Sequence, residues 1–224
     1  MGTGVIRVAD ESTGGCMDRL WYAAYGSNLH RPRFDCYLIG GRPPGAERVY
    51  PGCRDRSPVP PPRALTLPGE MYFGWHSQVW GGGISFLDPD APADPLGTPA
   101  VGYLVTGGQF ADIVAQEMRA EPGEPIDVAP ALRYGRHRRG PGRYETLLHC
   151  GDLDGHPILT FTSDRRIEES PPSAAYLRTV LNGLVDGHGL SPATAADYLS
   201  RRPGIGRWST SRIAALLTPD ADKP

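Results

Sequence analysis

Ahead of Gly107, every apolar run in this chain is cut short by Gly, Pro or Asp. Glycine supplies turn conformations and proline removes a backbone donor, so runs punctuated this closely fold as short strands rather than long helices. Four such runs stand out: Leu20–Tyr25, Glu70–Trp75, Gly83–Leu87 and Ala100–Thr106. Between the first two, residues 41–68 are dense in Pro, Gly and Arg and read as a loop, with one short strand at Ala64–Leu67. The clearest helix is Gly107 to Ala120, where Phe110, Ile113, Val114 and Met118 form a stripe of 3.6-residue period and Pro122-Gly123 stops it. Arg143–Cys150 and His156–Thr162 then read as an antiparallel hairpin around Asp152-Leu153-Asp154-Gly155. Pro171-Pro172-Ser173 opens a helix through about Asp186, and shorter helices are expected at Pro192–Leu199 and Thr210–Leu217. The pattern is α+β: a mostly antiparallel β core with one inserted helix and C-terminal helices. The division expected is a disordered arm over 1–18, one domain over 19–200, and a tail over 201–224 with room for a short helix.

Several functions are excluded by what the chain lacks. It has 22 arginines and a single lysine, Lys223 in the tail, so no lysine inside the domain could form a Schiff base or serve a Walker-type loop. Net charge is −2 and no apolar stretch reaches membrane-spanning length, so neither nucleic acid nor a membrane is expected as a partner. The cysteines at 16, 36, 53 and 150 form no CxxC pair. Met1 to Gly15 holds no secretory apolar region, and four reduced thiols in a cytoplasmic protein are expected. His149, Cys150 and His156 alternate across strand faces and make a poor chelate, so no metal is expected. Arg136-His137-Arg138-Arg139, with Arg143 nearby, reads as a solvated loop in a Gly- and Pro-rich segment rather than a grip on phosphate or RNA.

The most informative stretch is Tyr22-Ala23-Ala24-Tyr25-Gly26-Ser27-Asn28-Leu29, where a buried strand breaks into Gly-Ser-Asn. Such a turn can aim consecutive backbone N–H groups at one anion. It can equally be an ordinary strand exit with Ser or Asn as a helix cap. A serine nucleophile is a third reading, although GxSxG is absent.

This stretch resembles the YFAYGSNL signature of the γ-glutamylcyclotransferase-like superfamily. Trp80-Gly81-Gly82-Gly83-Ile84 resembles that family's Trp-x-Gly-Gly-Ile entry to a barrel strand. Pro171-Pro172-Ser173 with Tyr176, followed by His188-Gly189-Leu190, resembles its C-terminal helix start. The motifs occur in order over roughly residues 20–200. The resemblance implies a small, distorted β-barrel flanked by helices, and a catalytic Glu near the end of the inserted helix. Glu117 fits helical phase, with Phe110 and Ile113 seven and four positions before it; the same offsets from Glu121 fall on Val114 and on Glu117 itself. Met118 stands where the family usually has Gly. The implied substrate-binding residues are Tyr25, Gly26, Ser27, Asn28 and Leu29. Tyr144 falls where the family has a strand Tyr, and reads either as a substrate contact or as a half-buried strand residue.

What the resemblance implies is intramolecular aminolysis of a small-molecule γ-glutamyl amide, giving 5-oxoproline and a free amine without a cofactor. Shuttling a proton between an ammonium and a carboxylate of reference pKa values about 7.8 and 4.3 is uphill, so a largely buried carboxylate is expected. Two other readings stay open: a tailoring enzyme of specialised metabolism acting on another acyl-amide, and a non-catalytic binding member of the fold.

Overall fold

A computed structural model describes residues 18–43, 49–92 and 94–217. The expected N-terminal arm, with Cys16, lies outside the described residues apart from Asp18. Eight strands are found among the described residues: β1 Arg19–Ala24, β2 Arg63–Leu67, β3 Glu70–Ser77, β4 Gly82–Asp88, β5 Thr98–Thr106, β6 Arg136–Arg138, β7 Thr146–Leu153 and β8 His156–Thr162. The helices are α1 Arg31–Leu38, α2 Gly107–Glu117, α3 Ala129–Tyr134, α4 Ala174–Asn182, α5 Pro192–Ser200 and α6 Thr210–Ala214. None of the described helices is long and apolar enough to cross a membrane.

Six strands form one sheet in the order β2-β5-β1-β8-β7-β6, and β3 and β4 form a separate ribbon. All pairings are antiparallel except β1 with β8, which is parallel over Trp21↔Ile158 and Tyr22↔Leu159. The expected barrel is therefore not closed. At the seam a side chain replaces the backbone ladder: the Thr162 hydroxyl donates to the Leu87 carbonyl at 2.7 Å and accepts from the Leu87 N–H at 3.0 Å. This satisfies both backbone groups of Leu87 without a further strand pairing.

The family-like motifs are explained by packing. The Gly83 N–H donates to the Pro171 carbonyl at 2.8 Å, and a Cβ on Gly83 would collide with the Ser170 carbonyl. The WGGG turn and the Pro171-Pro172-Ser173 segment are thus two halves of one contact. Ser173 then caps α4, accepting from the Tyr176 N–H at 3.3 Å, and so fixes where Tyr176 enters the core.

Several expectations needed correction. β6 occupies Arg136–Arg138, where a solvated loop was expected; Arg136 pairs with Asp90 at 2.6 Å and the backbone pairs with β7. α2 ends at Glu117 rather than Ala120, and its start is fixed by a reciprocal capping box between Thr106 and Gln109. α4 passes after Asn182 into a π-helical segment, Gly183–His188. Gly183 there packs so closely on Leu29 that a Cβ would overlap it. α1 and α3 were not foreseen. Each carries a Pro in its first turn, where the missing N–H costs nothing, and α1's mixed polar sequence hides its buried face. α6 buries Ile213 completely.

Candidate active site

The ends of β1 and α2, the β3–β4 ribbon and the start of α4 surround a cavity with about 630 Å³ of empty space, counting its mouth. Among the described residues, Glu117 supplies the only carboxylate on its wall. The apolar stripe of α2 sets its place. Phe110, one stripe residue, packs beside Tyr22 of β1 and Phe161 of β8 with ring centroids 6.0 and 6.3 Å apart. That seats α2 with its C-terminal turn over the end of β1.

Asn28 connects the turn to the carboxylate. Its Nδ2 donates to Glu117 Oε1 at 2.9 Å and to the Tyr22 hydroxyl at 3.0 Å, while its own carbonyl accepts from the Tyr103 hydroxyl at 2.9 Å. A carboxylate oxygen can only accept, so the amide presents its nitrogen there. Both amide protons are used and Oδ1 is buried without a partner. Glu117 is half-buried rather than the largely buried carboxylate expected.

The turn itself is tighter than an open nest. The Leu29 N–H donates to Gly26 O at 3.0 Å and the His30 N–H to Ser27 O at 3.2 Å, forming a single 3-10 turn over Ser27–Leu29. The Ser27 N–H faces the Tyr176 hydroxyl. Among the described residues no hydrogen bond takes the N–H of Gly26 or Asn28. Tyr25, Gly26, Ser27 and Asn28 line the cavity, whereas Leu29 turns wholly into the core.

The cavity is rich in phenols, and most of their protons are committed. Tyr25 donates to Phe161 O at 2.8 Å, Tyr144 to Ser85 O at 2.8 Å, and Tyr176 to Ser85 Oγ at 3.1 Å. Tyr144 thus stands on the wall with its hydroxyl spent on the backbone. Burial, reinforced by the Glu117 charge, pushes Tyr22, Tyr25 and Tyr144 well above the ordinary phenol range. These rings stay neutral through physiological pH and present dipoles, not charges.

The charges opposite Glu117 are arginines. Arg33 is buried in the wall, and Arg119 and Arg143 also line the cavity. Arg143 lies 4.4 Å above the Trp75 ring and donates to the Glu117 carbonyl at 3.0 Å, holding the end of α2. Trp75 sits at φ 54°, a left-handed conformation costly for an aromatic residue, in the irregular part of the β3–β4 pairing. Glu121 lies past the end of α2, exposed and away from the cavity.

Sequence reasoning missed Tyr22, Arg33, Tyr37, Tyr50 and Ser85 as wall residues. None of them carried a signal that the sequence pattern alone made legible. Among the described residues no group of three or more His, Cys, Asp and Glu is placed to hold a metal ion.

No family model matches the chain. It is 33% identical over 201 residues to a curated protein of Arabidopsis thaliana described as histone deacetylase 5, covering 81% of this chain. The chain spans 30% of the length of that relative. Among solved structures it is similar to an uncharacterized protein from Homo sapiens, with TM-score 0.48, 18% identity, and 83% and 89% of the two chains covered. Another is described as gamma-glutamyl cyclotransferase, with TM-score 0.47, 17% identity, and 83% and 89% covered. A third is YkqA from Bacillus subtilis, with TM-score 0.45, 16% identity, and 85% and 55% covered.

Proposed function

We propose that this chain is a γ-glutamylcyclotransferase-like enzyme that converts a γ-glutamyl amide into 5-oxoproline and a free amine. The observation that carries the reading is the 2.9 Å hydrogen bond from Asn28 to Glu117, which joins the Gly-Ser-Asn turn to a carboxylate on the cavity wall. The substrate's α-amine attacks its own γ-carbonyl carbon. A C–N bond closes the five-membered lactam as the amide C–N bond opens. Glu117 takes the proton released by the attacking ammonium and delivers one to the departing amine. Asn28 holds the carboxylate in one orientation, so that proton transfer is aimed rather than diffusive. Help of this kind typically contributes about 10²–10⁴ in rate. Because the nucleophile belongs to the substrate, the scheme uses no cofactor.

The substrate is a small molecule, held against a wall that carries Glu117, Arg33, Arg119 and Arg143. The thiols of Cys36, Cys53 and Cys150 are unbridged, which suits a cytoplasmic setting. The test is a mass-spectrometric screen of γ-glutamyl amides and γ-glutamyl amino acids for released 5-oxoproline. Release from at least one class is expected. Ligands that bind tightly yet are never turned over would instead make the chain a binding member of the fold.

A further inference from the structure

Arg33 is 2% exposed and carries a charge that guanidinium cannot give up. α1 begins immediately after the Gly-Ser-Asn turn and delivers this side chain into the cavity wall. Its Nη2 donates to the hydroxyls of Tyr37 and Tyr50, both at 2.9 Å. The rings of Tyr37, Tyr50 and Trp80 lie 4.3, 4.4 and 5.9 Å from the guanidinium carbon. Nε and Nη1 are buried and have no hydrogen-bond partner. Among the described residues no carboxylate forms an ion pair with Arg33.

Two neutral phenols do not balance a desolvated cation. Protein interiors keep buried charge where an opposite charge answers it, and here the protein supplies none in contact. Glu117, on the same cavity wall, reaches Arg33 through its field without an ion-pair contact, which leaves the contact position to a ligand. Aromatic rings crowd the guanidinium, which suits a planar monoanion; a phosphate dianion would call for more donors than one arginine has left. The turn spends its Leu29 and His30 N–H groups internally and keeps those of Gly26 and Asn28, which carry dipoles rather than the full charge of Arg33.

We propose that Arg33 is the receptor for a substrate carboxylate, which under the function proposed above, on which this inference rests, is the α-carboxylate of the γ-glutamyl group. The carboxylate accepts from one of the two guanidinium nitrogens left without a partner and is held on the same cavity wall as Glu117. Affinity then depends on Arg33 while proton transfer depends on Glu117.

The test is titration calorimetry of the full chain with 5-oxoproline and with 2-pyrrolidinone, the same lactam without the carboxylate. The unsubstituted protein should prefer 5-oxoproline. Arg33→Gln should weaken 5-oxoproline about 10- to 100-fold and leave 2-pyrrolidinone unchanged, with Arg33→Lys between them. In turnover, Arg33→Gln should raise KM far more than it lowers kcat. A melt checks folding; if Arg33→Gln does not fold, Arg33→Lys carries the same comparison. Equal 5-oxoproline binding by the variant and the unsubstituted protein would overturn the proposal, as would indifference of the unsubstituted protein to the carboxylate. Arg33-dependent binding with no turnover of any γ-glutamyl compound sinks the proposed reaction and leaves the receptor standing. Turnover with KM untouched by Arg33→Gln does the reverse.

Discussion

Arg33 and Arg202 are both almost wholly buried, both stacked on a tyrosine, and answered in opposite ways. Arg202 lies 4.4 Å from the Tyr198 ring, close to the 4.3 Å between Arg33 and Tyr37. Yet Arg202 meets Asp94 at 2.6 Å and Glu70 at 3.4 Å, and its Nε donates to Tyr198 O at 3.1 Å. Burial works to raise the pKa of Asp94, but the Leu96 N–H, Arg202 and Arg201 outweigh it and the carboxyl stays below its usual range. The Arg202 end is a closed electrostatic circuit, and the cavity end is an open one. One chain using both solutions teaches that the open one is not a general tolerance for buried charge. The Arg202 cluster ties α5 to β3 and to the segment before β5. Arg33 ties nothing by ion pairing, so its charge is available to what enters the cavity.

The largest expected effect separates chemistry from stability at the open end. Glu117→Gln should cut turnover about 10²–10⁴-fold. Its melting temperature should barely move, because the amide oxygen of Gln can still accept from Asn28 and the side chain is only half-buried. Glu121→Gln, exposed beyond α2, should match the unsubstituted protein. Single-turnover release of 5-oxoproline, with melts alongside, measures both. A dead Glu121→Gln beside an active Glu117→Gln would move the catalytic role off the cavity wall.

Next in size is the mirror experiment at the closed end. Asp94→Asn leaves Arg202 facing Glu70 alone, and breaking a buried pair on one side typically costs about 3–5 kcal/mol. For a chain of this length that is a fall in melting temperature of roughly 10 °C. Turnover per folded molecule should be unchanged. Calorimetric melts and active-site-normalised kcat are the measurements. A small stability change with a large kinetic one would reverse the contrast between the two ends.

How much of the molecule was legible in the sequence depends on the range of the interactions. The α2 stripe, the strand break at Gly26 and the β7–β8 hairpin are local in sequence, and their periodicity survives without tertiary information. Glu117 lines the cavity as the last residue of α2, whereas Glu121 lies beyond the helix end, a boundary that helical phase did not foresee. The open seam between β4 and β8 depended on a single Thr162 side chain capping Leu87, which no pattern of hydrophobicity announces. α1 was hidden because Arg31, Arg33 and Asp35 make it look solvated. Only the fold reveals that Arg33 points inward, since Tyr50, which it bonds, comes from the far side of the loop after α1. The cavity's phenols come from β1 and its exit, from α1 and the segment after it, from the residues before β7 and from α4, and converge only once the sheet has formed.

The smallest effect expected is a separation of the two ends by pH. His188 closes the π-helical segment that packs on Leu29 and His30, so it belongs to the cavity end. Its Nε2 lies 3.1 Å from the Leu65 carbonyl and must donate there, while Nδ1 is buried without a partner. Protonation would add an N–H at Nδ1 with no acceptor. Burial lowers the pKa of His188 although the Leu65 bond opposes it, and burial lowers that of His30 although Asp186 opposes it. For groups whose folded pKa is depressed, the stability is present above the unfolded value of about 6.5 and is lost as pH falls through the folded one. Both rings are partly solvated, so screening should hold each contribution under about 1 kcal/mol. Asp94 is also depressed, but from a carboxyl reference near 3.8, so the closed end should lose its contribution only at far lower pH. Urea melts through the range from pH 7.5 to 5, roughly one unit either side of the histidine reference, should show a shallow loss. His188→Gln, whose amide can still donate to Leu65, should flatten part of it, and Asp94→Asn should leave its slope unaltered. An identical slope in His188→Gln and the unsubstituted protein would remove His188 from the acid response and with it the assignment of that response to the cavity end.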